Sequence, residues 1–338
     1  MIIHNATTVT FAVWAFNQEK FIRSAIEGAF SQSYRNLEIV LSDDCSSDRT
    51  FEIMCEMTSN YKGPHKIVLN RNPVNLGCRG IGLHVNNILQ ISSGNLVVLA
   101  GGDDISAPER TEAVVSCWIN AGKPVGLIHS AVETISDKVG LSGQLMHGHV
   151  EFARQDVKEC VKSGAKGVLG ASIAVTRSVF ELFGPLPEGT LFEDRTLAFR
   201  SLLVGTVLYC PHALVKYRQH GENISGNEMY TDERRWARWI DGISAKYGSF
   251  LADYELVTPL NKRDQRVLTE IRQGLRRAEC ARPLVNGSAC QRVRAAVSYS
   301  VDFKLSDRIA FVLQRGGLVD TLPYRILSFL WRAKQRFI

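Results

Sequence analysis

Four short runs of β-branched and apolar residues, Val9 to Trp14, Leu37 to Ser42, Lys66 to Asn70 and Asn95 to Ala100, are separated in the first hundred residues by stretches with helical spacing. Strands joined through helices cannot pair as hairpins. The alternation therefore confines this part of the chain to a mostly parallel sheet flanked by crossover helices, an α/β fold. The intervening helices are read near Glu19 to Ser31, at Asp48 to Thr58 with Asp48 as N-cap, and from about Arg79 to Ile91. In the first of them Phe21/Ile22, Ala25/Ile26 and Ala29/Phe30 mark one buried face. Ligands of such a sheet are expected beyond the carboxyl ends of its strands.

Further along, Pro108 to Ile119 reads as a helix and Pro124 to Ser130 as a strand. Ser136 to Lys166, rich in Gly, His and charge, shows no clean period and reads as loops lying over a site. Gly167 to Thr176 resumes strand character, Leu191 to Leu203 is helical, and Val207 to Tyr209 and Leu214 to Tyr217 read as two short strands. From Tyr230 the pattern changes to Arg-rich helices broken at Pro259, Pro283, Gly316/Gly317 and Pro323. The expected division is a sheet domain over residues 1–228 and a helical region over 229–338.

Composition narrows the setting. A chain of 338 residues with 45% hydrophobic content can bury a core of ordinary size. The eight cysteines contain no C-x-x-C pair, so neither a zinc ribbon nor a disulfide framework is indicated and reduced thiols are expected. The net charge of +6 permits attraction to phosphates or anionic lipid without choosing between them, and no nucleic-acid partner is expected. No export signal precedes Thr8 and no run of about 18 apolar residues occurs, so the expected location is cytoplasmic. The stretch Leu322 to Ile338 sets Ile326, Leu327, Phe329, Leu330 and Trp331 among Arg325, Arg332, Lys334 and Arg336 without an acid. Such a segment suits peripheral contact with the inner face of a membrane, or a terminal helix packed on the protein with a basic outer face.

Three acidic segments carry chemistry. In LVVLAGGDDI, a buried-type strand ends in glycines and then presents Asp103 and Asp104 together. Paired hard oxygens there suit Mn2+ or Mg2+ bridging to a diphosphate, though an Asp pair after a strand also serves as a plain turn. LEIVLSDDCSSDRT repeats the arrangement with Asp43 and Asp44, where a carboxylate can accept from a base N–H while Ser46, Ser47 and Asp48 shape the turn. The third segment is FEDRTLAFR, whose Glu193 and Asp194 stand at a helix start.

In order along the chain, VTFAVWAFNQEKFIRSAIEGAFSQSY, LEIVLSDDCSSDRT, NPVNLG, SGNLVVLAGGDD, VFELFGPLP, FEDRTLAFR and YRQHGENIS resemble the inverting glycosyltransferase family 2, of the bacterial surface-polysaccharide type, whose Rossmann-like nucleotide-binding fold is called GT-A. The resemblance runs over about the first 225 residues. It implies that Phe16, Asn17, Glu19, Asp43 and Asp103 bind the nucleotide, with Asp103, Asp104 and His220 holding the metal. It implies Asp194 as catalytic base, with Glu193 and Arg218 supporting it or facing the acceptor. The family often carries a further Asp two residues before the pair, where this chain has Gly101. The implied reaction moves a sugar from a nucleotide-sugar donor, UDP first among the candidates, to a saccharide or lipid-linked acceptor. Arg79 is a further residue within reach of phosphate, and Trp236 and Trp239 are candidates to stack on an acceptor.

Two rivals stand beside this reading. A nucleotidyltransferase would place a glycine-rich basic loop after the first strand, where this chain has AFNQEKF. A non-catalytic nucleotide- or glycan-binding protein would keep the fold without needing Asp194 or the Asp103/Asp104 pair.

Overall fold

The structure is a computed structural model and describes residues 7–122, 124–136, 143–146, 152–219, 233–288 and 291. Its first half is the alternation expected: β1 (Val9–Ala15), α1 (Ile22–Phe30), β2 (Leu37–Asp43), α2 (Thr50–Asn60), β3 (Lys66–Arg71), α3 (Ile81–Ile91) and β4 (Leu96–Gly101). Then come β5 (Ile105–Ser106), α4 (Arg110–Asn120), β6 (Val125–Ile135), β7 (Leu145–Met146), α5 (Val157–Ser163), β8 (Ala174–Thr176), α6 (Arg177–Phe183), α7 (Glu193–Val204) and β9 (Thr206–Arg218). Helices α8 (Glu233–Val257), α9 (Gln265–Ala281) and the single turn α10 (Pro283–Asn286) follow.

The strands form one sheet in the order β3-β2-β1-β4-β8-β6-β9-β5, with β7 pairing β6. β1 lies between β2 and β4 and is parallel to both. The chain thus winds one way from β1 to β2 and β3 and the other way to β4, and the crevice of such a reversal opens at the carboxyl ends. β8 is antiparallel to β4 and β6, which brings β6 and its parallel neighbour β9 back into the common direction. The central strands are buried on both faces, with Val9, Phe11, Ala12, Val13, Ile39, Val40 and Leu41 all closed to solvent. That is why they read as continuous apolar runs rather than alternating ones.

Several expectations are corrected. The stretch 136–166 is not all loop, since Val157, Cys160 and Val161 bury one face of α5. Seven residues give too few turns for a period to stand out. Within 167–176 only Ala174–Thr176 is strand, and Gly170–Ser172 make a 3-10 turn instead. The two short strands at 207–209 and 214–217 are one strand, β9. Its pairing with β6 jumps from Ser130↔Cys210 to Ala131↔Ala213, so Pro211 and His212 bulge outward and the proline's missing N–H breaks no ladder bond.

Helices α8 and α9 bury Ile240, Ile243, Tyr247, Phe250, Val267, Leu268 and Ile271 in the same apolar cluster as Val97, Leu99, Leu197 and Phe199. α8 lies along α7, with Phe199 stacked on Phe250 at 4.1 Å and Arg200 paired to Asp253 at 2.9 Å. Both charged groups are almost closed to solvent, and breaking such a buried pair by removing one partner costs about 3–5 kcal/mol. Among the described residues, no helix is long and apolar enough to cross a membrane.

Candidate active site at the carboxyl edge of the sheet

The loops after β1 and β2 are clasped together. Asn17, in the left-handed region at φ 52, donates its N–H to Ser46 Oγ at 2.9 Å and accepts the Ser47 N–H on Oδ1 at 2.9 Å. Glu19 donates its N–H to Asp48 Oδ2 at 3.0 Å and accepts the Arg49 N–H on Oε2 at 3.1 Å. Asp48 Oδ1 accepts from Thr50 N at 2.9 Å, but Asp48 is not the N-cap that was expected: Arg49 holds that position and α2 begins at Thr50. The side chains of Asn17 and Glu19 thus hold loop backbone, whereas Phe16 is 44% exposed at the lip of the same crevice.

Asp43 and Asp44, both buried, divide their work. Asp44 accepts from Asn72 Nδ2 at 2.7 Å, Leu76 N at 2.9 Å and Gly77 N at 2.7 Å, which folds the NPVNLG segment around it. Asp43 Oδ2 accepts from Ser46 N at 3.0 Å and lies 3.4 Å from Arg71 Nε. Its Oδ1 is buried and without a hydrogen-bond partner. A buried carboxylate oxygen left unmatched is costly, and a ligand N–H would relieve it. Sequence reasoning missed Arg71; its signal is the parallel register that sets Asp43 opposite Arg71 at the strand ends.

Asp103 and Asp104 follow β4, where their carboxylates fold back over Gly101. A Cβ on that glycine would stand 2.8 Å from Asp103 Oδ1 and 3.2 Å from Asp104 Oδ2. The two side chains thus fill the space in which a residue at 101 would carry its own carboxylate. Asp104 is 5% exposed, and burial, with the Asp103 charge next, pushes its carboxyl up to about 8. Arg218 answers from the end of β9, donating its N–H to Asp104 Oδ1 at 2.8 Å and its Nε to the Asp103 carbonyl at 2.9 Å. Its guanidinium lies over the Phe21 ring at 4.9 Å. From behind, the fully buried Arg110 donates to Ser106 Oγ at 2.9 Å and to the Leu99 carbonyl at 2.7 Å, and its charge favours ionised Asp104. Nothing in the sequence singled out Arg110, since an arginine in a helix reads as solvated.

Two carboxylates converging on one point suit a hard divalent cation, which needs only a few protein oxygens when a diphosphate and water supply the rest. Among the described residues no three His, Cys, Asp or Glu side chains gather in a way that could hold a metal ion. His220, the third expected ligand, lies outside the described residues, as do His147, His149, the Trp236 side chain and residues 322–338.

Glu193 and Asp194 open α7 on the same edge. Counting back from the antiparallel pair Val98↔Ala174 brings Gly170 beyond the end of β4, and a Cβ on Gly170 would stand 3.0 Å from Asp194 Oδ2. Both acids are surrounded by protein while keeping some contact with solvent. Burial, with the Asp194 charge next, pushes Glu193 up to about 8. Burial also raises Asp194, against the nearby Arg195 charge and an Arg195 N–H that Oδ1 accepts at 2.7 Å. Two expected residues are engaged elsewhere. Arg79 pairs with Glu188 at 2.8 Å on the surface, and the Trp239 ring packs edge-on against Phe192 at 4.5 Å.

Residues 10–162 match the model described as glycosyl transferase family 2. The chain is 29% identical over 114 residues to EpsE of Bacillus subtilis (strain 168), whose name is that of a glycosyltransferase; this covers 34% of the chain and only 39% of EpsE. TarS 1-349 of S. aureus in complex with UDP superposes with a TM-score of 0.55 at 14% identity, covering 91% of this chain and 82% of that one. The mannosyltransferase PcManGT of Pyrobaculum calidifontis, in complex with GDP-Man and Mn2+, superposes with a TM-score of 0.54 at 16% identity, covering 96% and 84%. These two likenesses are of fold, and with the sheet order above they make it GT-A. Residues 10–162 are thus similar to glycosyl transferase family 2, and the likeness beyond them is one of fold.

Proposed function

We propose that the protein is an inverting, metal-dependent glycosyltransferase that moves a sugar from a nucleoside-diphosphate donor, UDP first, to a saccharide or lipid-linked acceptor in cell-surface polysaccharide assembly. The observation that carries the reading is the gathering on one sheet edge of an unmatched Asp43 oxygen, the converging Asp103 and Asp104, and the acid pair opening α7.

Asp43 Oδ1 accepts the imide N–H of a uracil, and Arg71 beside it faces a flanking carbonyl; thymine offers the same edge, so dTDP competes. Phe16 gives the base an apolar lip. Asp103 and Asp104 would hold Mn2+ or Mg2+, with His220 as the further ligand, and the cation supplies charge neutralisation on the departing diphosphate. Burial raises both acids of the α7 pair, and the Asp194 charge raises Glu193 further, so that in this reading Glu193 is the member that keeps its proton. Asp194 takes the proton of the acceptor hydroxyl while that oxygen bonds to the anomeric carbon. The bond from carbon to diphosphate oxygen breaks on the opposite face, and no covalent enzyme intermediate forms. In this reading residues 1–228 carry the reaction, and residues 229–338 support it and meet the membrane surface.

The test is calorimetry with UDP, dTDP, GDP and CMP, with and without Mn2+, on wild type and on Asp103→Ala/Asp104→Ala, followed by sugar transfer with Asp194→Asn. One nucleoside diphosphate should bind only with metal and only to wild type, and Asp194→Asn should bind it without transferring sugar. Equal binding by the double variant would remove the metal assignment. Binding without turnover in wild type would mean that the fold has kept its ligand and lost the reaction.

A further inference from the structure

We propose that Arg110, the first residue of α4, is a positioning residue for the metal pair: its guanidinium ties β4 to β5 across the turn that carries Asp103 and Asp104, and so fixes where their carboxylates meet. The inference rests on the reading of that pair as a metal site.

β4 ends at Gly101 and β5 begins at Ile105, so the turn between them is Gly102, Asp103 and Asp104. Gly101 and Gly102 enter it without side chains, and glycine leaves the backbone its widest choice of conformations. Inside the turn, the Asp104 N–H reaches the Gly101 carbonyl at a long 3.3 Å. Further bonds come from outside it. Gly102 donates its N–H to the Trp14 carbonyl at 2.9 Å, and Arg218 donates its own to Asp104 from the end of β9. Arg110 holds the two legs. Its Nη2 donates to the Leu99 carbonyl at 2.7 Å, two residues before the end of β4, and its Nη1 to Ser106 Oγ at 2.9 Å, two residues beyond Asp104. One rigid, planar group therefore sets the distance between the strands on either side of the acids.

The site does not otherwise favour an arginine. The residue is closed to solvent, and its Nε has no hydrogen-bond acceptor among the described residues. It opens a helix, where the positive partial charge of the N-terminus opposes a cation. Burying an ion is costly, and an apolar side chain packed on Phe11, whose ring centroid lies 5.6 Å from the guanidinium carbon, would avoid that cost. The root of the arginine is fixed as well. Buried Gln32 accepts the Thr111 N–H at 3.0 Å and its hydroxyl at 2.7 Å, and donates to the Ala107 carbonyl at 2.8 Å. Gly28 of α1 lies so close to β5 that a Cβ on it would stand 3.0 Å from both Ser106 N and O. A fork mounted on such a support passes its geometry to the turn. Groups that hold metal ligands in place tune affinity, because oxygens already converging need no rearrangement when the ion arrives.

The experiment is calorimetric titration of Mn2+, with and without UDP, into wild type, Arg110→Lys, Arg110→Met and Ser106→Ala, each below its melting temperature. Arg110→Lys keeps the charge and loses the two-pronged fork, which separates geometry from electrostatics. Mn2+ affinity should fall about tenfold in Arg110→Lys, and should stay below wild type in Arg110→Met although a positive charge behind the ion is gone. Ser106→Ala, which frees one prong and leaves the guanidinium in place, should show a smaller loss. Charge alone gives another order: Arg110→Lys like wild type and Arg110→Met tighter. That order, or wild-type Mn2+ affinity in all three variants whatever their melting temperatures, would overturn the inference and leave the metal reading standing. If wild type binds Mn2+ no better than Asp103→Ala/Asp104→Ala, the metal reading falls and the inference with it. Should neither Arg110 variant give a cooperative melt, Ser106→Ala decides alone, and unchanged Mn2+ affinity in it overturns the inference.

Discussion

At the end of β2, Asp44 accepts three N–H groups from one loop; at the end of β4, Asp104 accepts one backbone N–H and shares its pocket with a second carboxylate. Both are the second member of an Asp-Asp dipeptide closing a buried parallel strand. What separates them is the supply of donors. The segment after β3 turns back and offers its amides to Asp44, whereas the chain after β4 leaves at once into β5 and Asp104 takes its backbone N–H from Arg218 at the end of β9. The first pair is mostly structural, with one oxygen of Asp43 kept back. The second is held under repulsion that a cation would relieve.

The largest effect follows from breaking the satisfied pair. Asp44→Ala leaves the buried Asn72 amide group and the half-buried Leu76 and Gly77 amides without their acceptor, and should lower the unfolding free energy by on the order of 2–3 kcal/mol in urea titrations. A variant that unfolds at the wild-type midpoint would show that the loop holds its own shape and that the comparison is mistaken.

Asp104→Asn should do the reverse to the metal-free protein, since it deletes a repelled charge while keeping an acceptor for Arg218 N–H. At pH 8.5 its melting temperature should rise by about 2–4 °C, the shift for roughly 1 kcal/mol in a domain of this size. It should also lose the Mn2+-dependent part of nucleotide binding. A lower melting temperature would mean that the Asp104 charge is matched by Arg110 and Arg218 and is not waiting for a cation.

Much of this was legible in the sequence, for reasons that differ between residues. The parallel sheet was readable because buried strands such as Phe11 to Val13 have to be apolar on both faces. Asp103, Asp104, Glu193 and Asp194 were singled out by the ordered segments they stand in, since an acid pair at an element end serves as a plain turn or helix start just as well. The role of Asp44 was not readable, because it depends on partners far away in the chain, the amides of Leu76 and Gly77. Nor does residue type reveal that Asn17 and Glu19 hold backbone, since the same side chains would suit a nucleotide equally well.

The acid pair on α7 sharpens the comparison through pH. Glu193 titrates near its ordinary 4.5 when unfolded and at about 8 when folded, so the folded state binds the proton more tightly. That contribution to stability is fully present below about pH 4.5 and is lost as pH rises through about 8. Raised Asp104 acts with the same sign. The metal-free protein should therefore melt at progressively lower temperature from pH 5 to 8.5. Glu193→Gln, which mimics the protonated acid, should flatten part of that decline. A profile flat in wild type, or unchanged by the substitution, would mean that solvent reaches the pair well enough to screen it.

The smallest effect is expected where opposite charges meet in water. Arg79 and Glu188 form a two-pronged bridge, Nε and Nη2 each 2.8 Å from a carboxylate oxygen, but the side chains are 57% and 60% exposed. Even geometry this good contributes little to stability, because water solvates both groups nearly as well when they part. Arg79→Ala should thus change the melting temperature by a degree or two at most, and less in high salt. The same variant tests whether Arg79 leaves Glu188 to meet a diphosphate. If it stays, nucleotide affinity is unchanged. A tenfold loss of UDP affinity in Arg79→Ala, matched by a gain in Glu188→Gln, would instead make the surface pair a latch that competes with the donor for one guanidinium.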